Sequence, residues 1–257
     1  MSYPLPNAST DLSGQVAIVT GASSGLGARF ARVLAASGAT VALCARRADK
    51  LAALKGEIEA VGGKATVFEI DVSDQAQCLG LAERVETALG PVVILVNNAG
   101  IPDAQRAHKL PLDLFNRVMA VNVHAPWLLS TSLAARRIAD GKPLRIVNIA
   151  SMAAYEYGGA GAALYSMTKA SVVRMTEVLA VEWARYPINV NGIAPGAFAS
   201  EMMDGMLERM GDISQHFRRK RLGDPAQMDS TLLYLVSPAS DAVTGTIIKI
   251  DDGQSNR

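Results

Sequence analysis

Tyr165 and Lys169 stand four residues apart in the run YSMTK, within a stretch whose apolar residues predict a helix over 162–185. Residues four apart share one face of a helix, so the ammonium of Lys169 can lie beside the phenol of Tyr165. A nearby cation favours the tyrosinate and brings the phenol pKa, ordinarily about 10, towards neutral pH. Such a phenol can exchange a proton with a carbonyl or alcohol oxygen. Taken alone, the pair is better explained as a surface contact.

A glycine-rich turn follows the first predicted strand, residues 16–20. Its sequence is TGASSGLG, with Gly21, Gly25 and Gly27 in the spacing GxxxGxG. Glycine lets the backbone approach a diphosphate, and the free amides and positive dipole of the next helix then face the charge. The spacing differs from GxGxxG, and no lysine occupies a position that would indicate a nucleoside-triphosphate loop. The turn predicts a dinucleotide site, with an ordinary tight turn as the alternative.

Composition and charge exclude several classes of protein. The chain has 257 residues, 49% of them apolar, and 25 basic against 24 acidic side chains, for a net charge of +1. The apolar share excludes a disordered chain, and the charge balance provides no bulk field for nucleic acid or an anionic membrane. Residues 1–14 lack the cationic start and apolar core of a leader, and no uncharged apolar run is expected to approach the ~20 residues of a membrane span.

The few cysteines and histidines of the chain exclude further classes of protein. Cys44 and Cys78 are too few for a disulfide scaffold and fall in separate predicted elements, which fits a reducing compartment. His108, His124 and His216 show no metal-ligand spacing. We therefore expect a soluble, cytoplasmic protein with no metal, no nucleic acid and no membrane among its partners.

The elements that must position these residues alternate strictly along the chain. Apolar runs predict strands at 16–20, 40–44, 65–70, 92–96, 144–149, 188–193 and 246–250, and helical spacing predicts helices from 26 to Gly38 and over 49–60, 74–89, 111–138 and 162–185. This alternation predicts an α/β fold: a single doubly wound, Rossmann-like parallel sheet with helices on both faces, forming one domain over residues 1–257. Residues 194–224 are irregular, and long loops of this kind are usually functional.

The fourth strand ends in NNAG, residues 97–100. With the glycine turn and YSMTK, this makes the chain from Val16 to Gly253 resemble the short-chain dehydrogenase/reductase family, in its shorter single-domain branch. The resemblance implies that Tyr165 exchanges a proton with the substrate oxygen and that Lys169 also holds the nicotinamide ribose. Asn122, in MAVNVHAPW, matches the asparagine that holds a water between the lysine and solvent; a satisfied structural amide is the alternative.

Ser151 follows the fifth strand, at the carboxyl edge of the sheet where α/β proteins bind ligands. The resemblance implies that its hydroxyl holds the substrate carbonyl. The family usually places this serine thirteen positions before the tyrosine, whereas here the step is fourteen and Met152, without a hydroxyl, occupies that register. We infer a one-residue insertion in the intervening loop and retain Ser151. Tyr155 and Tyr157 in that loop are interpreted as pocket lining.

The end of the second strand governs the choice of cofactor. Ala45 stands where NAD-using relatives carry an acid, and Arg46 and Arg47 follow it. A carboxylate there would hydrogen-bond the ribose of NAD and repel a 2′-phosphate, whereas arginine accommodates the phosphate. NADP(H) is therefore favoured over NAD(H). Asp71, after the third strand, matches the residue that contacts the adenine amino group, its competing role being to open the next helix with Ser73.

The loop after the sixth strand completes the cofactor site by resemblance. Pro195 and Gly196 would meet the nicotinamide carboxamide, and Ser200 keeps a hydroxyl where threonine is usual. The predicted cofactor-binding residues are Gly21, Ser23, Ser24, Gly25, Leu26, Gly27, Arg46, Arg47, Asp71, Val72, Asn98, Ala99, Gly100, Tyr165, Lys169, Pro195, Gly196 and Ser200, and the predicted catalytic residues are Asn122, Ser151, Tyr165 and Lys169.

Residues 197–222 are expected to form a lid over the substrate, which we call the lid segment. Its methionines at 202, 203, 206 and 210 favour an apolar, irregular substrate, although amphipathic packing explains them equally well. The basic run 218–221 could grip an acidic carrier or coenzyme A, but such runs are more often solvated.

Two further features concern assembly and the C-terminal turn. The helix predicted over 162–185 is apolar beyond a single stripe, and in the family the corresponding helix pairs between subunits, which implies a homodimer or homotetramer. Where relatives tend to have an aspartate followed by two glycines, this chain has Asp251, Asp252 and Gly253.

These observations predict an NADP(H)-dependent oxidoreductase that interconverts an apolar carbonyl compound and a secondary alcohol. A 3-oxoacyl thioester reductase shares every motif and is one alternative. A non-catalytic NADP(H)-binding sensor or scaffold is another, although none of the four catalytic side chains is missing.

Overall fold

The computed structural model describes residues 6–159 and 161–255. The described residues leave out 1–5, Ala160 and 256–257. Residues 1–5 belong to the segment interpreted above as lacking a leader. The strands are β1 Val16–Thr20, β2 Thr40–Ala45, β3 Lys64–Glu69, β4 Val92–Asn97, β5 Leu144–Ile149, β6 Ile188–Pro195 and β7 Ile247–Ile250. The α-helices are α1 Gly25–Ala36, α2 Ala48–Ala60, α3 Gln75–Leu89, α4 Leu112–Met119, α5 Ala125–Asp140, α6 Ala163–Glu182, α7 Glu201–Met210 and α8 Asp229–Val236.

All seven strands lie parallel in one sheet, in the order β3-β2-β1-β4-β5-β6-β7. The strands are short apolar runs because both faces of the sheet are covered, as β1 illustrates with five consecutive buried residues. The predicted doubly wound parallel sheet is confirmed. The chain leaves β1 in one direction and β4 in the other, and this reversal opens a crevice at the carboxyl ends of β1 and β4.

Two apolar cores fill the space between the sheet and its helices. Helices α3, α5 and α6 cover one face, with Leu81, Leu129 and Leu179 among the buried side chains. Helices α1, α2 and α8 cover the other, with Phe30, Leu51 and Leu232 buried. The sheet is thereby fixed on both sides, and its carboxyl edge presents the loops in which the candidate site lies.

The predicted helix over 111–138 is divided by one wide turn. Helices α4 and α5 are continuous, but Ala120–His124 between them adopts π-helical hydrogen bonding. A π turn widens the helix locally and is frequent at functional sites. The stretch Leu112–Asp140 is long and apolar enough to cross a membrane, contrary to the sequence expectation, but half of its most apolar window is buried within the fold, as in a core helix.

Helices α7 and α8 were not predicted. Helix α7 lies in the stretch interpreted as irregular, where Gly205 and four charged residues obscure its period. Helix α8 is only eight residues long and reads DSTLLYLV, a short apolar run that periodicity alone does not identify as a helix. The lid segment thus contains a helix that begins directly after Ser200.

Candidate active site

A cleft with a volume of about 1090 Å³ lies at the carboxyl edge of the sheet. It exceeds the roughly 300–1,000 Å³ typical of a pocket for one small ligand. The glycine turn, the ends of β2, β4, β5 and β6, helix α6 and the lid segment all contribute to its walls. Of the predicted catalytic and cofactor-binding residues, all except Gly27 and Asn122 line this cleft.

The glycine turn leaves room for a ligand only because it lacks side chains. Gly21 and Gly25 have φ of +66° and +53°, which side chains disfavour. A Cβ on Gly27 would overlap the carbonyl of Gly21, which explains why this residue packs behind the cleft instead of lining it. Helix α1 begins at Gly25 with no side-chain cap and no acidic residue in its first turn. Its first amides therefore suit an anion such as a diphosphate, as the sequence predicts.

Asn98 anchors this turn. Its side-chain amide donates to the carbonyl oxygens of Thr20 at 2.9 Å and Gly21 at 3.3 Å. In return, the backbone amides of Asn98 and Ala99 donate to the hydroxyl of Thr20, at 3.0 and 3.1 Å. Hydrogen bonds in both directions thus join the NNAG sequence to the glycine turn. Asn98 contributes to the proposed cofactor site by holding this turn in place. Thr20 was not identified from the sequence, because it reads simply as the last residue of a strand.

Tyr165, Ser151 and Lys169 come together beneath the lid segment. Tyr165 and Lys169 project from α6, and the hydroxyl of Ser151 lies close enough to that of Tyr165 to lower its pKa. The hydroxyl of Ser151 also accepts from the backbone amide of Ala153 at 3.1 Å. Ser151 directly precedes a short 3₁₀ turn, Met152–Ala154, in which Met152 is buried.

The electrostatics of this cluster are dominated by burial. The ammonium of Lys169 donates to the carbonyl of Ile149 at 2.7 Å and lies 5.6 Å from the centre of the Tyr165 ring. Burial lowers the pKa of Lys169 to about 8. Burial raises the pKa of Tyr165, and the hydrogen bond with Ser151 offsets part of that effect. The lowered tyrosine pKa expected from its pairing with Lys169 is therefore absent from this arrangement.

Asn122 lies in the π turn and is almost fully buried. Its Oδ1 accepts from the amide of Ile101 at 2.9 Å, and its Nδ2 donates to the Ile101 carbonyl at 3.0 Å and to the Thr168 hydroxyl at 3.1 Å. The amide therefore fastens the loop after β4 to α6. A Cβ on Gly100 would lie 3.3 Å from Lys169 Nζ and 3.6 Å from Asn122 Oδ1, so Gly100 keeps these two side chains in proximity.

The two arginines after β2 differ in their surroundings. Arg46 is half exposed, and its closest acidic partner is Asp71, at 3.9 Å. Arg47 donates to the Ser23 hydroxyl at 2.9 and 3.1 Å and to the Ser24 hydroxyl at 2.7 Å, and it pairs with Glu201 at 2.9 Å. Arg47 is thus already held at the glycine turn, while Arg46 is the freer guanidinium.

Asp71 has its own fixed geometry. Its Oδ1 accepts from the backbone amide of Ser73 at 2.9 Å and from the Ser73 hydroxyl at 2.8 Å. Burial acts to raise the pKa of Asp71, but these hydrogen bonds and the charge of Arg46 outweigh it, and the pKa lies below its usual value. The cap of α3 is Asp74, whose Oδ1 accepts from Ala76 and Gln77. Asp71 therefore remains available at the cleft.

Ser200 caps the lid helix. Its Oγ accepts from the amide of Met203 at 3.2 Å and donates to the carbonyl of Phe198 at 3.3 Å. Beyond it, Met202, Met203, Met206 and Met210 all line the cleft, together with Arg209, Ile213 and Phe217. The predicted apolar character of this wall is present, and Arg209 is a polar exception that the sequence did not single out.

Three features around the cleft differ from their sequence interpretation or were missed. Tyr155 and Tyr157 are 41% and 52% exposed and do not line the cleft, although Glu156 and Gly158 of the same loop do. Asp103 is buried and accepts from the amide of Leu164 at 3.1 Å, which caps the start of α6 beside Tyr165. Glu201, which pairs with Arg47, gave no signal because 154 residues separate the two.

The basic run of the lid segment is not simply solvated. Arg219 and Arg221 each donate to Asp252, at 2.7 Å.

Among the described residues, no group of three or more His, Cys, Asp or Glu side chains could hold a metal ion. The charged side chains that line the cleft are Arg46, Arg47, Asp71, Arg117, Glu156, Lys169, Glu201 and Arg209.

Comparisons with known proteins agree with this geometry. Residues 15–210 match the family model described as short chain dehydrogenase. Over 250 residues the chain is 36% identical to gluconate 5-dehydrogenase of Gluconobacter oxydans (strain 621H), covering 94% of this chain and 95% of that protein. A short-chain dehydrogenase/reductase structure from Mycobacterium marinum has 34% identity and a TM-score of 0.92, covering 96% of this chain and 98% of that one.

A second solved structure bears on the cofactor. It is described as a candidate NAD(P)-dependent gluconate 5-dehydrogenase from Beutenbergia cavernae with NADP bound at low occupancy. It is 34% identical to this chain, with a TM-score of 0.89, and covers 96% of this chain and 99% of its own.

Proposed function

Because the chain belongs to the short-chain dehydrogenase/reductase family, we propose that it is an NADP(H)-dependent enzyme that interconverts a ketone and a secondary alcohol. The observation that carries the proposal is the meeting of the Tyr165 and Ser151 hydroxyls with Lys169 in one cleft, whose other end is the glycine turn. A proton donor for oxygen and a cradle for a diphosphate are the two parts that this reaction needs.

When bound, NADPH would supply the hydride to the carbonyl carbon of the substrate. In reduction, Tyr165 donates its proton to the substrate oxygen, and Ser151 donates a hydrogen bond to the same oxygen. Lys169 places its positive charge 5.6 Å from the centre of the Tyr165 ring and so favours the tyrosinate that remains, although burial outweighs this effect on the pKa of Tyr165. Asn122 holds the loop after β4 against α6, and Gly100 keeps the space beside Lys169 through which the proton is replaced. Oxidation reverses each step.

The preference for NADP(H) rests on Arg46 and Arg47. Neither Ala45 nor the residue after it places a carboxylate at the end of β2. Arg46, half exposed at the cleft, is the guanidinium best able to meet a 2′-phosphate. The NADP bound by the Beutenbergia cavernae protein supports the same choice. Arg47, held by Ser23 and Ser24, contributes positive charge from the glycine turn.

The substrate we propose has an apolar body. Met202, Met203, Met206 and Met210 line the cleft from α7, and Ile213 and Phe217 continue that surface. Flexible thioethers adapt to irregular apolar shapes, and they offer few hydrogen bonds to a polyhydroxylated molecule.

A second candidate substrate is a keto sugar acid. Gluconate 5-dehydrogenase of Gluconobacter oxydans is among the relatives, and Arg209 lines the same cleft. A guanidinium there could bind the substrate carboxylate through a two-point hydrogen bond. Arg209→Gln separates the two candidates, because it would raise the KM for a keto acid severalfold or more and leave the KM for an uncharged ketone nearly unchanged.

The experiment that tests the function is a screen of NADPH oxidation against simple ketones, hydroxysteroid ketones, keto sugar acids and 3-oxoacyl thioesters, repeated with NADH. The control is Tyr165→Phe, which should lower turnover by a factor of about 10² or more, because general acid catalysis is lost while the cofactor residues are unchanged. Cofactor affinity should stay within about twofold of the parent. Equal turnover in Tyr165→Phe would contradict the mechanism.

Two rival functions are addressed by the same screen. A 3-oxoacyl thioester reductase would use the basic run to hold an acidic carrier, but Arg219 and Arg221 are engaged by Asp252, which weakens that idea. A sensor or scaffold would bind NADPH and turn over no substrate. Retention of Tyr165, Ser151, Lys169 and Asn122 argues for catalysis.

We further propose a homodimer or homotetramer that works in the cytoplasm. Trp127 on α5 and Met167, Val178 and Val181 on α6 are apolar yet substantially exposed, Val181 to 78%. An exposed patch of this kind is typical of a subunit interface. Cys44 and Cys78 are free and buried, in keeping with a reducing compartment.

A further inference from the structure

The two ends of the lid segment meet at its base. The amide of Gly223 donates to the carbonyl of Ala197 at 2.9 Å, and the amide of Ala199 donates to the carbonyl of Gly223 at 3.0 Å. Everything between them, including α7 and the basic run, therefore forms a closed loop. Such a loop can tilt about its base unless another part of the chain holds it.

The turn after β7, residues 251–255, braces this base on one side. The side chain of Gln254 pairs with the backbone of Ala197, accepting from its amide at 2.6 Å and donating to its carbonyl at 3.0 Å. Gln254 and Ser255 also line the cleft. The turn therefore contacts both the start of the lid segment and the space expected for the substrate.

The same turn holds the other end of the lid segment through Asp252. One carboxylate oxygen accepts from Arg219 at 2.7 Å, and the other accepts from Arg221 at 2.7 Å. Arg221 also donates to the first oxygen at 3.1 Å. The Asp252 side chain is only 11% exposed, whereas those of Arg219 and Arg221 are 64% and 50% exposed, so solvent screens these pairs in part. The hydrogen bond from Arg221 is the main reason that the pKa of Asp252 lies below its ordinary value.

Backbone strain concentrates at this contact. Among the described residues, only three other than glycine have positive φ, and two of them, Lys220 at +49° and Asp252 at +51°, belong to it. The turn at Lys220 separates the two arginines that reach one carboxylate. A side chain in this conformation is strained, and such strain persists only where surrounding contacts over-determine it. Asp252 also stands where the family resemblance leads us to expect glycine.

We infer that Asp252 is a positioning residue, which fixes the lid segment over the substrate by holding Arg219 and Arg221 against the turn after β7. Asp252 stands in place of the expected glycine, which would adopt this backbone conformation without strain. Its carboxylate in turn binds two charged side chains of the lid segment. The consequence for catalysis rests on the proposed function. The fixing of the lid segment in place does not depend on the proposed function.

The first test measures the lid without any turnover. The basic run offers trypsin four consecutive sites, and native-state cleavage requires the segment to open locally. Asp252→Gly relieves the strain and removes both ion pairs, and Asp252→Asn keeps a residue tolerated at positive φ but removes the charge. We expect cleavage after residues 218–221 to be about fivefold faster or more in both variants, as detected by mass spectrometry. The control is Glu208→Gln, which removes a negative charge from α7 itself and should leave the rate unchanged.

The second test uses the substrate that emerges from the ketone screen. We expect the KM of Asp252→Gly to rise about tenfold, the change that 1.4 kcal/mol produces. The kcat and the affinity for NADPH should stay within about twofold, because Asp252 touches neither the catalytic hydroxyls nor the proposed cofactor residues. Variants that fold and bind NADPH as the parent does, but are cleaved at the parental rate, would overturn the inference. So would an unchanged KM. If no ketone is turned over, the proposed function fails and trypsin cleavage alone decides the role of Asp252.

Discussion

Glu201 accepts a hydrogen bond from Arg47 at 2.9 Å, which joins the first residue of the lid helix to the end of β2 across the mouth of the cleft. Lys50 donates to the other oxygen of the same carboxylate at 2.5 Å. The hydrogen bond from Lys50, with further ones from Arg47 and Ser24, lowers the pKa of Glu201 to about 2. A carboxylate that stays ionised thus neutralises cations beside the proposed phosphate site.

Replacing Glu201 with Gln should tighten NADPH binding. The change removes a fixed negative charge near the proposed 2′-phosphate position and leaves Arg47 and Lys50 in place. We expect the Kd for NADPH to fall about threefold or more at low salt and the Kd for NADH to change little, with the difference shrinking in high salt. Fluorescence titration at two ionic strengths measures this. Asp204→Asn, on the same helix, is the control, and weaker NADPH binding in Glu201→Gln would show that the carboxylate instead organises Arg47 for the phosphate.

Replacing Arg46 with Ala should weaken NADPH binding and spare NADH. Arg46 is the less engaged of the two arginines, so its guanidinium is available to a phosphate. A charge-assisted pair of this kind contributes about 1.5–3 kcal/mol, which predicts a roughly tenfold to hundredfold rise in the Kd for NADPH. Titrations of both cofactors check it, with Lys55→Ala on the adjacent helix as the control. Parallel losses for both cofactors would refute the role assigned to Arg46.

Gly27→Ala and Gly56→Ala make the same substitution within a helix, at a tightly packed position and at an open one. At Gly27 a methyl group would overlap the Gly21 carbonyl and the Asn98 side chain, so the glycine turn must shift. We expect NADPH binding to be lost and thermal stability to fall. At Gly56, within α2, nothing lies within 4 Å of the new Cβ, and alanine should stabilise the protein by about 0.5–1 kcal/mol. Thermal unfolding and cofactor titration distinguish the two, and normal cofactor binding by Gly27→Ala would count against this packing.

The burial of Lys169 should appear in the pH dependence of stability. Its pKa is about 8 in the folded protein and 10.5 in its unperturbed form. Between these values the unfolded chain binds more protons, so the contribution of Lys169 to the free energy of unfolding rises as the pH rises. Lys169→Met lacks this dependence.

Urea unfolding of the parent and of Lys169→Met at pH 7.5 and near pH 10 measures the effect. The parent should gain about 1–3 kcal/mol relative to the variant over that interval, because each unit of pKa shift corresponds to about 1.4 kcal/mol. The comparison cancels groups shared by both proteins. A constant difference between the two proteins at both pH values would mean that the folded-state pKa of Lys169 is not depressed.

The sheet could be predicted from the sequence because burial on both faces forces short, continuous apolar runs. β2 and β4 were located to within one residue of their ends for this reason. The lid helix could not be predicted, because its start depends on the capping of Met203 by Ser200 and its inner face depends on the cleft. The glycine turn and the Tyr165–Lys169 pair lie within short stretches, so spacing alone revealed them.

Contacts between distant parts of the chain account for what spacing could not reveal. Glu201 and Arg47 are 154 residues apart, and each alone reads as an ordinary surface charge. The left-handed conformation of Asp252 depends on two arginines more than thirty residues away. The π turn that carries Asn122 interrupts a sequence whose apolar spacing predicts one continuous helix. For Glu201 and Asp252 the decisive partner lies on another element.

The brace between the lid segment and the turn after β7 has a consequence for the order of folding. Gln254 reaches Ala197 and Asp252 reaches Arg219 only when β7 has paired with β6, which fixes the position of that turn. Pairing between strands that are far apart in the chain tends to come late in folding. We therefore expect the lid segment to become fixed over the cleft only after β7 has joined the sheet.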